Sequence, residues 1–118
     1  MAAEQTHRPS WLTEPCPSWC ANEHREEDHL EDRVHKSAGL ITPAVVRRSP
    51  VLADVEPGEA TEILVQTLRL VGATETWVLV CEPENAHSMM MLRHEAAAGL
   101  ADALGALTRV PDTPDHPH

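Results

Sequence analysis

Residues 11–38 hold few aliphatic side chains and many charges, yet Cys16, Cys20, His24, His29 and His35 all fall within them. No face of this stretch can be buried by periodicity, so something other than an apolar core has to order it. Thiolates and imidazoles are the donors zinc takes in a tetrahedron, and short spacings let one loop supply two of them. Cys16-Pro17-Ser18-Trp19-Cys20 is such a loop. Pro15 and Pro17 restrict its backbone, and Trp19 is placed to cover one side of an ion. His24 follows on the next turn, and the fourth donor is His35 or His29. The expectation is a structural zinc ion, with Glu23, Glu26, Glu27 and Asp28 available to accept from the imidazole N–H groups. The competing readings are a loop disulfide, a redox pair, or surface histidines beside incidental cysteines.

A metal would also offset a poor supply of core volume. The chain has 118 residues, enough for one small domain, with three Trp and neither Phe nor Tyr. Its core has to come from Leu, Val, Ala and Met, and small scaffolds of that kind gain from a staple. The net charge is −10 with His neutral, and the bases form no stripe. Nucleic-acid binding needs clustered Lys and Arg and is disfavoured. Met1–Ser10 is polar and lacks the apolar segment of a signal peptide, and no stretch is long enough to cross a bilayer. Three cysteines, an odd number without an export signal, point to the cytoplasm.

From Gly39 the pattern changes to strands. Leu40–Arg48 reads as a strand that Pro43 pushes to a sheet edge, and Val51–Glu56 as a second short apolar run closed by Pro57-Gly58. Glu62–Val71 and Thr76–Glu82 alternate most clearly and are predicted to form an antiparallel hairpin. Residues 28–36 are a candidate short helix. Leu92–Thr108 is amphipathic, with Ala96, Leu100, Ala103, Leu104 and Leu107 on one face, and a start near Arg93 keeps that arginine off the stripe. Ser88–Met91 is left as a short strand or an irregular lead. The expected architecture is one α+β domain over residues 11–110: a zinc-ordered segment (11–38), an antiparallel sheet (39–86) and a C-terminal helix (93–108) packed on it. A flexible lead (1–10) and a disordered tail (111–118) complete the chain.

The run Pro15-Cys16-Pro17-Ser18-Trp19-Cys20, then a histidine, then Glu31-Asp32-Arg33-Val34-His35-Lys36-Ser37, resembles a family of small acidic actinobacterial proteins classed as a domain of unknown function. Glu95–Leu104 (EAAAGLADAL) is similar to that family's terminal helix. Carried over by position, the resemblance implies Cys16, Cys20, His24 and His35 as the ligand set, with His29 in a variable stretch. It implies no activity.

Other chemistries fail on spacing. His94-Glu95 opens like a metalloprotease helix, but Ala98 stands where the second His is needed. No H-x-E triplet precedes Pro15-Cys16, as a deaminase requires. Cys81 reads as a packed thiol rather than a nucleophile served by His87, and Met89, Met90 and Met91 read as filling for a Phe-free core rather than an adaptable binding surface. No catalytic set is identified. The expected function is a small zinc-binding module acting through a protein partner, as a regulatory accessory. The alternatives are a metal-dependent enzyme with an open zinc position and Glu23 or Glu27 as base, or a DNA-binding regulator.

Overall fold

The computed structural model describes residues 8–109. The expected tail at 111–118 and most of the expected lead lie outside them. Five strands form one antiparallel sheet: β1 (Val34–Lys36), β2 (Leu40–Val46), β3 (Glu59–Leu70), β4 (Trp77–Glu82) and β5 (Asn85–Arg93). One helix, α1 (His94–Thr108), follows β5 directly. The fold is therefore α+β, as the alternation and the C-terminal stripe indicated.

The long strand β3 organises the sheet. β2 pairs with its first half, Leu40 opposite Val65 through Val46 opposite Glu59. β1 takes the end of the same edge, with His35 opposite Arg69. Between them Ser37 stays in the ladder, its N–H donating to Thr67 O and its hydroxyl accepting from Thr67 N–H. The other edge of β3 pairs with β4, so the expected hairpin forms, with Leu64 opposite Cys81 and Leu68 opposite Trp77. Its turn contains Gly72 at φ 89°, a left-handed conformation that favours glycine. β5 then returns along β4 after Pro83-Glu84, with an irregularity at Cys81/Glu82. Ser88–Met91 thus belongs to a strand, longer than the short one expected, and not to an irregular lead. Its successive side chains alternate between the sheet's faces.

Two local readings are corrected. Residues 28–36 contain only a 3-10 turn (Leu30–Asp32), and Val34–Lys36 is extended because it pairs with β3. Val51–Glu56 is a loop, not a strand. The Arg47 guanidinium gathers the carbonyls of Ser49, Val51, Asp54 and Glu56, while the Glu56 carboxylate accepts the N–H groups of Arg48 and Ser49. That polar wheel satisfies the backbone without a ladder. It leaves Val55 fully exposed.

Arg48 makes a second anchor at this end of the sheet. Its two terminal nitrogens bond both oxygens of Glu82 at 2.8 and 2.9 Å and reach Glu59 at 3.0 Å. Thr61 also donates to Glu82, which is buried at 8% exposure. The Arg48 hydrogen bonds hold the Glu82 carboxyl at about 2, well below its ordinary range.

Burial is concentrated elsewhere than the sequence suggested. Among the described residues the buried ones are Pro9, Leu12, His35 and Glu82, so three of the four surround the cysteine–histidine segment. Apart from His35 and Glu82, the sheet side chains are half-buried or exposed, and α1 buries none of its residues: Leu100, Leu104 and Leu107 are 39%, 54% and 74% exposed. The helix meets β4 and β5 but lays no continuous apolar stripe on them. Met89, Met90 and Met91 are exposed too, and do not fill a core.

Candidate metal centre

The N-terminal segment is held by polar contacts around the buried Pro9 and Leu12. Pro9 O accepts from Leu12 N–H, the Trp11 indole donates to Arg25 O, and both Ser10 groups donate to the Glu26 carboxylate. Arg8 reaches the carbonyls of Leu12 and Glu14. Arg8, Pro9 and Ser10 therefore belong to the folded segment. Around the cysteines, Cys20 N–H donates to Pro17 O, closing the Cys16–Cys20 loop into a tight turn. Beyond it, Ala21 N–H donates to Lys36 O and Asn22 donates to Val34 O. The chain is thereby stitched along the free side of β1.

This path brings Cys16, Cys20, His24 and His35 together, one donor atom of each lying within 4.8 Å of all the others. Cys16 and Cys20 are free thiols, so the loop is not closed by a disulfide. His29 is exposed, sits at the start of the 3-10 turn, and is not part of the group. The Cys20 sulfur and His24 Nε2 are 3.6 Å apart. Tetrahedral bonds of about 2.3 Å to sulfur and about 2.05 Å to nitrogen would place them about 3.6 Å apart.

His35 is the keystone. It lies on β1, has no solvent exposure, and donates from Nε2 to Glu14 Oε2 at 2.6 Å. That bond fixes its tautomer and leaves Nδ1 as the free lone pair, which is buried without a partner. His24 Nδ1 is likewise buried and unpartnered. Orphaned buried nitrogens are costly, about 1–3 kcal/mol each, and a metal ligated at His35 Nδ1 removes that cost. Glu14 is tied in turn to the β3–β4 turn by the Gly72 N–H. The hydrogen bond from His35 keeps the Glu14 carboxyl below its ordinary value, against the effect of burial. A carboxylate behind a ligating imidazole is the usual partner in metal sites. Glu23, Glu26, Glu27 and Asp28 do not take that role. Glu23 pairs with Arg25, Glu26 with Ser10, and Asp28 accepts from Arg25 N–H.

The surroundings act on the donors' protonation in two ways, the first favouring a metal and the second making the thiolates depend on one. Burial and the neighbouring His35 lower the His24 pKa, which keeps its imidazole neutral and able to ligate. Burial and the nearby Cys20 raise the Cys16 pKa, so the two thiols resist ionising side by side without a cation between them. Trp19 seals the group against the sheet, edge-on to His35 at 6.4 Å with the Arg69 guanidinium 5.6 Å from its ring. Trp11 meets His24 edge-on at 5.6 Å and carries Arg33 on its face.

Over residues 1–113 the sequence matches a family described as a domain of unknown function (DUF6907). The chain belongs to this family. No curated protein and no solved structure matches it. Membership in DUF6907 carries no activity, so the arrangement of the donors is what speaks to function. Among the described residues no helix is long and apolar enough to cross a membrane.

Proposed function

We propose that this DUF6907 domain is a small zinc-binding module in which the ion is structural and the working surface is a protein-contact surface. One observation carries the metal reading: four donors within 4.8 Å of one another, including a fully buried histidine with a carboxylate on one ring nitrogen and nothing on the other. Two sulfurs and two imidazoles make a closed tetrahedral set of the kind structural zinc takes, and the soft donors disfavour calcium or magnesium. Binding at such sites is worth about 10–16 kcal/mol in small domains, comparable with a whole domain's stability. The ion would tie the 8–24 segment to β1 through His35. The interaction reading is supported by the exposed apolar side chains and the acid-rich surface, which disfavours nucleic acid.

Native mass spectrometry of the chain purified under reducing conditions, with elemental analysis, tests the metal. One zinc per chain is expected, lost on chelation and absent from Cys16→Ser. A wild-type chain without stoichiometric metal would remove the reading.

A catalytic reading has one feature in its favour, a cleft of about 540 Å³ bordered by Cys16, His24, Glu23 and Arg25. It needs an open coordination position. X-ray absorption of the zinc-loaded chain separates the two: two sulfurs and two nitrogens mark a closed site, and an added water oxygen an open one.

A further inference from the structure

We infer that Cys16 is the oxidation site of a hydroperoxide-responsive pair, with Cys20 as the sulfur that resolves it into a disulfide and so releases the ion. This rests on the metal reading above and assigns that site its regulation.

The donor group is open on one side. His35 has no solvent exposure and donates to Glu14, while Trp19 packs edge-on to its ring and Trp11 edge-on to that of His24. Cys16 is exposed and Cys20 is half-buried. The cleft of about 540 Å³ is bordered by Cys16 and His24, and Cys20 is not among its lining residues. A small oxidant entering there meets the Cys16 sulfur first. Thiols that oxidise reversibly are accessible ones with a resolving cysteine beside them, and Cys16 meets both conditions. Arg8 borders the same cleft, and its hydrogen bonds among the described residues go to the carbonyls of Leu12 and Glu14 rather than to a carboxylate. Its charge is therefore available to stabilise the hydroxide that departs.

The resolving sulfur is within reach. Cys16 and Cys20 belong to the group whose donor atoms lie within 4.8 Å of one another, and the bond from Cys20 N–H to Pro17 O folds their loop into a turn. A movement of roughly 2–3 Å closes that gap to the ~2.05 Å of a disulfide. The Cys16 sulfur attacks one oxygen of the hydroperoxide, forming a sulfenic acid and releasing hydroxide or alkoxide. The Cys20 sulfur then attacks the Cys16 sulfur, forming the S–S bond and releasing a second hydroxide. Each sulfur loses one electron, and the cleaved O–O bond takes up both. A disulfide leaves His24 and His35 as the remaining donors, two short of a tetrahedral set. The tie between the 8–24 segment and β1 through His35 is then lost, although Ala21 and Asn22 still bond to β1. The third thiol, Cys81, lies on β4 outside the group and serves as an internal reference.

Titrating hydrogen peroxide into the zinc-loaded chain tests this, with zinc release read by a chromogenic chelator and the thiols mapped by mass spectrometry. Metal content is measured before any oxidant is added. The expected result is one zinc released for each Cys16–Cys20 disulfide, Cys81 still reduced, and zinc rebound after dithiothreitol. Zinc retained in excess peroxide, a disulfide through Cys81, or release that the reductant does not reverse would each overturn the inference and leave the metal reading standing. A chain with no metal before the oxidant removes both. The order of attack is read from Cys16→His and Cys20→His, which keep four donors but leave one thiol in the cluster, so its sulfenic acid persists. Dimedone should trap Cys16 in the second variant at least about tenfold faster than Cys20 in the first. Short-time trapping on the wild type reads the same order without a substitution, and equal or reversed rates would overturn the assignment to Cys16.

Discussion

At the scale of single residues, Glu14 shapes the candidate site more than any residue other than the four donors. It stands 21 positions from His35 and 58 from Gly72, and touches both. Its carboxylate decides which ring nitrogen of His35 faces the cluster. Glu14→Ala is expected to weaken zinc affinity about 10–100-fold, with a smaller loss for Glu14→Gln, which keeps an acceptor but not the charge. Competition with a chromogenic chelator measures both, and an unchanged affinity for the alanine variant would show that the His35 bond does not support the metal. Glu14 was invisible to motif reading. Nothing in T-E-P-C marks it, because its partners reach it only through the β1–β3 pairing and the Gly72 turn. The nearer acids looked better placed by sequence distance, but Glu23, Glu26 and Asp28 are engaged with local partners instead.

At the scale of elements, the Arg48–Glu82 pair ties the β2 end to β4. The Glu82 carboxyl sits at about 2 when folded, against an ordinary value of 4.5. A carboxyl with a lowered folded pKa adds stability above its unfolded pKa and loses it as pH falls toward the folded value. Thermal melts of wild type and Arg48→Ala should therefore differ most at neutral pH and converge as pH drops from about 4.5 to about 2. A difference independent of pH would mean that the arginine acts by packing alone. The strands themselves were legible from alternation in Glu62–Val71 and Thr76–Glu82. The loop at Val51–Glu56 was not, since its apolar letters imitate a strand while the Arg47 wheel, formed only in three dimensions, holds it as a loop.

At the scale of the whole molecule, the described residues form one five-stranded sheet with the cysteine–histidine segment along β1 and the helix after β5. The tightest packing lies at the cysteine–histidine end, and the remainder is a sheet with a helix that covers little of it. Chelating the metal is therefore expected to raise hydrogen exchange first in residues 8–24 and in β1, because His35 belongs to both the cluster and the sheet. The β3–β4 amides should be affected last. Uniform loss of protection across the sheet would mean that the metal holds the whole fold, and no change would mean that it holds none of it.

Local chemistry and periodicity were enough, from the sequence alone, to find the donors near one another, the central hairpin and the terminal helix. These depend on neighbours a few residues apart, and spacing carries that information. The resemblance had already favoured His35 over His29, and the structure groups it with Cys16, Cys20 and His24; only the tertiary structure decided that Glu14 stands behind it and that the methionines and helix leucines face outward. Each depends on pairing between distant segments, where one strand's register on β3 sets which side chains meet. Hydrophobicity read along a chain shows which residues benefit from burial; whether another surface is there to bury them is settled by the fold.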